Sequence, residues 1–367
     1  MQPTGESRNL DLLRAVAVLC VFVAHLTICL IEIKYIHVAD YGAWKAGLNE
    51  LGHVGVLFFF VHTALVLMRS LDRTGPKRLV LNFYIRRAFR IYPLSIACIL
   101  AVLLFQIPQV PYGKYLAWNW TEISSNLLLI QNITRQPDMI MPLWTLPREF
   151  QMYLALPFLY LLLKRFSSSI VVLILWFVFF AAVPWAPVLS CFPCFMGGVF
   201  AYQLGKERVF RLPSVVWPAA ILILFAAHAW SMQTIFGDYR SDFILCMFLG
   251  AVIPNVLDLK KSWLTRASQQ VAKYSYGIYL FHDPILWFSF VKLGSFPVLI
   301  QWSALLLTII LIPVTIHRLL EAPMIEFGRR LAARWTHVSS TRAEVVCDLL
   351  RDAPDSVLQI RGDAVVM

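Results

Sequence analysis

Residues 166–205 read FSSSIVVLILWFVFFAAVPWAPVLSCFPCFMGGVFAYQLG, forty positions without a single Asp, Glu, Lys or Arg. About 20 apolar residues span the roughly 30 Å of a bilayer's hydrocarbon core. Pro184-Trp185-Ala186-Pro187 splits the run in the middle, so it predicts two membrane passes joined by a tight turn. The whole chain shares this character: 59% of its 367 residues are hydrophobic and 14% charged, with a mean hydropathy of +0.69. A soluble domain carries about 25% charged residues. These values exclude a soluble globular protein, a disordered chain, a collagen-like fibre and a disulfide-stapled secreted scaffold.

Extended along the chain, the same reading predicts an all-α, polytopic membrane protein with about ten transmembrane helices. They fall near 11–32, 51–68, 88–107, 147–163, 168–184, 188–204, 214–230, 242–258, 272–291 and 296–317. The eighth is the weakest, with only Phe243–Leu257 between flanking aspartates. Ten passes put both termini on one side. With that side as the cytoplasm, 25 of the 32 lysines and arginines fall in alternate, inward-facing segments, as the positive-inside rule demands. The net charge of +11 therefore orients the chain and gives no reason to expect nucleic acid. Residues 1–335 form the membrane domain and 336–367 a cytoplasmic tail too short for its own core. Residues 108–146 read as the longest external loop. Asn119-Trp-Thr121 and Asn132-Ile-Thr134 within it match glycosylation acceptors, relevant only in a eukaryotic lumen. Cys191 and Cys194 sit in an apolar pass and read as inert packing; no zinc spacing occurs, so no metal is expected.

Ionisable groups at membrane depth are costly, and each is a candidate for function. Arg14 and His25 in the first pass are eleven residues apart, which places them on one helix face about 16 Å apart along the axis. A histidine facing a cavity suits general-base work; a topogenic arginine and a packed histidine are the plainer reading. Arg86, Arg87 and Arg90 neighbour one another if helical, and such guanidinium forks suit a phosphorylated ligand. Lipid anchoring, which Arg69, Arg73, Lys77 and Arg78 would serve equally, is the alternative. Glu149 opens the fourth pass near the external side, where a lone capping carboxylate is also reasonable. His282 lies near mid-depth beside Pro284, whose backbone break marks either a cavity or a simple kink. His62 reads as packing.

These residues sit within motifs that resemble the acyltransferase type 3 family. Asn9-Leu10-Asp11-Leu12-Leu13-Arg14-Ala15-Val16-Ala17 with His25 resembles its opening, followed in family order by Gly55-Val56 with Phe58–Phe60. Arg86-Arg87-x-x-Arg90-Ile-x-Pro93 comes next, then Trp144-Thr145-Leu146-x-x-Glu149, Ser275-Tyr276-Gly277-x-Tyr279-Leu-x-His282-x-Pro284 and Glu321-x-Pro323. The match runs over about 9–330. The family's usual Ser-Gly-Phe stands here as Thr63-Ala64-Leu65, which points to a subgroup. No hydrolase-like domain follows in these residues, so transfer is expected to finish in the membrane core or with a partner.

The resemblance implies a membrane O-acyltransferase in a bacterial inner membrane. It would move an acyl group, acetyl first, from cytoplasmic acyl-CoA to a hydroxyl of an exported or cell-surface polysaccharide or glycolipid. Arg87 and Arg90, supported by Arg86, would bind the donor phosphates and Arg14 would steer the donor. His25 would be the base, with Glu149 and His282 orienting the acceptor or sharing the proton. Polysaccharide-assembly partners or a homo-oligomer are possible company. A small-molecule acceptor such as a macrolide sugar is the alternative within this reading, and a membrane transporter is the alternative outside it.

Overall fold

The computed structural model describes residues 7–73, 79–207, 211–234 and 239–335. Lys77, Arg78 and the tail expected at 336–367 lie outside the described residues. The fold is all-helical. Each of the ten apolar segments holds a helix: α1 (Arg8–Glu32), α2 (Tyr41–Arg73), α3 (Leu79–Phe105), α6 (Leu146–Arg165), α7 (Ser169–Ala182), α8 (Phe192–Glu207), α9 (Val216–Thr234), α10 (Tyr239–Val252), α11 (Trp263–Leu286) and α12, continuous over Val298–Trp335. Two short helices, α4 (Trp120–Leu127) and α5 (Gln131–Thr134), lie between α3 and α6. Among the described residues, α1, α2, α3 and α12 are each long and apolar enough to cross a bilayer, and α7 and α9 hold shorter apolar helices. Leu222 and Ile223 on α9, Phe177 on α7 and Leu299 and Leu306 on α12 are largely exposed. Such an outer shell belongs in lipid, and the protein is an integral membrane protein.

The centre of the bundle is α2, which packs on α1 and α8; α11 lies on the other side of α1, and α10 beyond α8. Small residues set the spacing at the α8–α10 crossing. A Cβ on Gly250 would meet the backbone carbonyl of Gly197, and one on Gly197 would meet that of Cys246. Lipid tails give helices no hydrophobic drive to associate, so backbones that approach closely hold the contact. Gly250→Ala is expected to destabilise the bundle by about 1–3 kcal/mol. The measurement is the thermal midpoint of the detergent-solubilised protein, and an unchanged midpoint would show that the crossing has slack.

Residues 108–146 depart from the expected external loop. Leu129, Met139, Ile140 and Leu143 have no exposed surface and join the main core. A 3-10 turn, Met141–Thr145, leads straight into α6, and the Thr145 and Tyr279 hydroxyls are 2.9 Å apart. Apolar side chains interrupted by turn residues let this segment fold back into the bundle and start α6 inside it. Asn119 caps α4 through a reciprocal pair with Glu122 (2.8 and 2.9 Å), and Asn132 bonds Gln151. Both sequon asparagines thus have structural duties.

Candidate active site

Two cavities lie end to end along the bundle. Arg14 on α1, the second half of α2, Arg86, Arg87 and Arg90 on α3, Glu149 and Tyr153 on α6, and Ser275 and Tyr276 on α11 line the first, of about 350 Å³. The first half of α2, Val21 and His25 on α1, and Trp144 line the second, of about 380 Å³. Val56 and Tyr279 line both. The order follows from helix geometry. At about 1.5 Å per residue, Arg14 and His25 lie about 16 Å apart along α1, and Tyr276 and Asp283 about 10 Å apart along α11. Gly55 allows this registry, because a Cβ there would lie 2.6 Å from the Ala17 carbonyl and push α2 off α1.

His25 and His282 meet at the second cavity with an aspartate the motifs did not single out, Asp283. His25 Nδ1 is 3.1 Å from Asp283 Oδ1 and 2.9 Å from His282 Nε2. His282 Nδ1 is 2.7 Å from the Tyr279 carbonyl. A carbonyl only accepts, so His282 Nδ1 carries the proton and its Nε2, when the ring is uncharged, accepts. His25 must then donate from Nδ1, its one N–H shared between His282 and Asp283, which leaves the Nε2 lone pair able to take a proton. His282 and Asp283 are almost fully buried while the His25 side chain keeps 19% exposure, so only the latter can be reached. The Pro284 ring removes the helix partner of the Leu280 carbonyl, and the Cys98 thiol donates there instead at 3.4 Å. The break is thus satisfied, and the helix carrying the pair stays ordered. One metal-capable atom from each of His25, His282 and Asp283 lies within 4.8 Å of the others; the contacts just described use those atoms as a hydrogen-bonded set.

The first cavity gathers positive charge. The Nε atoms of Arg86 and Arg87 are buried without a hydrogen-bond partner, a costly state unless an anion reaches them. Arg90 Nη1 lies 3.6 Å from Glu321, which His317 Nδ1 holds at 2.9 Å. Glu321 belongs to a π-helical stretch, His317–Glu321, that interrupts α12. The Glu321-x-Pro323 motif therefore orients Arg90. Tyr276 ties α11 to α3 through the Ile91 carbonyl (2.9 Å). Asn9 pins the start of α1 to the 257–259 connection through Leu257 and Leu259.

One expectation changes. Glu149 was expected near the external face, beside the acceptor. It lies in the arginine cavity, accepts a hydrogen bond from the Tyr153 hydroxyl, and feels the charges of Arg90, Arg14 and Arg87. The cause is the inward fold of 108–146, which starts α6 at the level of Tyr279. His62, expected to pack, is buried yet also lines that cavity. His53, His228 and Asp242 were missed. Their signal was available, since each is an ionisable residue within or at the edge of an apolar segment.

Comparison with known proteins follows the same lines. The acyltransferase domain family matches residues 7–318. The chain is 30% identical to the acyltransferase MdmB of Streptomyces mycarofaciens over 161 residues, which cover 42% of this chain and 39% of that protein. It is 25% identical to the O-acetyltransferase OatA of Staphylococcus aureus over 401 aligned positions, covering 96% of this chain and 63% of that one. The chain thus spans less than two thirds of the length of these relatives. No solved structure matches.

Proposed function

The chain belongs to the acyltransferase family first suggested by its motifs, its domain matching over residues 7–318, and from that premise we propose that it is an acyl-CoA-dependent O-acyltransferase. It transfers acetyl in preference to longer chains. The acceptor is a hydroxyl of an exported or cell-surface polysaccharide or glycolipid. The chain crosses a bacterial inner membrane ten times, with both termini and the arginine cavity toward the cytoplasm.

The shared wall carries this reading. Val56 and Tyr279 line both cavities, so a donor held by its phosphates at Arg86, Arg87, Arg90 and Arg14 extends its thioester toward His25. Guanidinium forks match phosphate oxygens, and the unpartnered Nε atoms of Arg86 and Arg87 gain partners. Glu149 spaces the arginines and keeps them from repelling one another before the donor arrives. It is a positioning residue and does not touch the acceptor.

At His25, Nε2 takes the acceptor hydroxyl proton while the oxygen attacks the thioester carbonyl carbon. The C–O bond forms, the C–S bond breaks, and the proton passes from Nε2 to the departing thiolate. Asp283 stabilises the imidazolium between these steps, and His282 holds the His25 ring by accepting from Nδ1. The products are the ester and free CoA. The names of the OatA and MdmB relatives support acyl transfer as the chemistry.

Arg90→Ala removes one charge-assisted contact, each worth about 1.5–3 kcal/mol. Donor affinity should fall about 10- to 100-fold, with the rate at saturating donor changed far less. Calorimetry with CoA on the purified protein measures it. An unchanged affinity would remove the arginine cavity from the donor path.

A further inference from the structure

Outside the site just described, a second set of ionisable groups connects to the same far cavity. His53 Nε2 is 2.8 Å from Asp242 Oδ2. Asp242 Oδ1 is 3.0 Å from His228 Nε2, and His228 Nδ1 is 2.7 Å from Glu50. The chain joins α2, α9 and α10, and the His228 side chain is wholly buried. Four ionisable groups cost too much among apolar helices to be retained for packing alone. Only His53 among them lines the cavity. Asp242 fixes its Nε2 as the donor, which leaves Nδ1 available to a ligand.

The rest of the lining describes that ligand. Trp144 lies nearly parallel to the His53 ring, at 14° with centroids 6.5 Å apart. Asn49, Gln109 and Asp138 supply amide and carboxylate groups, and the described lining contains no Lys or Arg. Arg148 stays on Trp144, donating to its carbonyl at 2.7 Å with the guanidinium over the ring. The arginine cavity, in contrast, is lined by six arginines. An anionic ligand in the far cavity would meet Asp138 with no fixed cation among these lining residues. An uncharged, hydroxyl-rich ring suits it: hydroxyls pair with amide, imidazole and carboxylate groups, and the apolar face of the ring lies on indole.

We propose that the far cavity is the acceptor pocket, that the group it takes is a neutral sugar, and that His53, oriented by the Asp242–His228–Glu50 chain, positions that sugar beside His25. The proposal rests on the O-acyltransferase reading above. His53 is a positioning residue in this account, and Asp242 acts through it.

The test uses the full chain in nanodiscs with acetyl-CoA, following free CoA against methyl hexosides and the matching methyl uronides. Hexosides should stimulate CoA release at least tenfold more than uronides. His53→Gln and Asp242→Asn should each raise the KM for hexoside about tenfold while leaving the KM for acetyl-CoA unchanged. Asn49 is exposed, so Asn49→Lys tests the cavity without burdening the fold, and it should shift preference toward the uronide. Equal use of uronide and hexoside by the unaltered protein would overturn the proposal, as would an unmoved hexoside KM in both His53 and Asp242 variants. If those variants fail to fold, an unmoved preference in Asn49→Lys overturns it. Acetyl-CoA binding that depends on Arg90, with no hexoside acylated, overturns the proposal and leaves the donor reading standing. Absence of acetyl-CoA binding in the unaltered protein defeats the donor reading instead.

Discussion

Replacing His25 with alanine should lower acyl transfer by about 10²–10⁴-fold, the usual worth of a positioned general base. The residue is the accessible member of a set whose other members are sealed from the cavity. Its Nδ1 faces Asp283 and His282, so Nε2 is the atom a hydroxyl can reach. The substitution removes the base and leaves Arg14, about 16 Å away along α1, and the other arginines of the first cavity untouched. CoA affinity should therefore hold while turnover disappears. Comparing CoA binding with ester formation on the same preparation separates the two. Retained turnover with unaltered kinetics would remove His25 from the chemistry.

Asp283→Asn should be nearly as severe, roughly 10²–10⁴-fold, although the shape of the side chain is conserved. The carboxylate accepts from His25 Nδ1 and stabilises the ring once it has taken a proton. An amide can turn its NH₂ toward Nδ1 and invite the opposite tautomer, which hides the lone pair from the cavity. The cost resembles that seen when the aspartate of a serine-protease triad becomes asparagine. Its mark should be a loss in turnover at constant donor affinity, with partial recovery as pH rises if hydroxide or buffer can serve as base. A variant with normal turnover would show that Asp283 only packs.

Much of this was legible from one dimension. Ten apolar segments became ten helices because a run such as 166–205 is a local signal that needs no partner to be read. Arg14, His25, Arg86, Arg87, Arg90 and His282 were legible for a related reason, since a charge or imidazole inside an apolar helix stands out. Their grouping was not. His25 and His282 are 257 positions apart, and only the packing of α1 on α11 brings them to 2.9 Å. The depth of Glu149 was misjudged because it depends on the fold of 108–146, where Met139, Ile140 and Leu143 draw the chain into the core. Asp283 stands in its motif as the unassigned position between His282 and Pro284, since only a ring nitrogen 3.1 Å away gives it a role. His53 and Asp242, 189 positions apart, had the right residue types but no local pattern to join them.

The central claim is that acyl leaves CoA and appears as an ester on a hydroxyl, through His25. The most direct measurement places the purified full chain in nanodiscs with acetyl-CoA labelled in its carbonyl carbon and an envelope glycan extract as acceptor. Free thiol and labelled ester are counted together. One thiol should be released for each ester formed, and both should vanish in His25→Ala while CoA still binds. Ester formation that survives in His25→Ala would contradict the account, and so would acetyl-CoA recovered intact on the far side of sealed proteoliposomes.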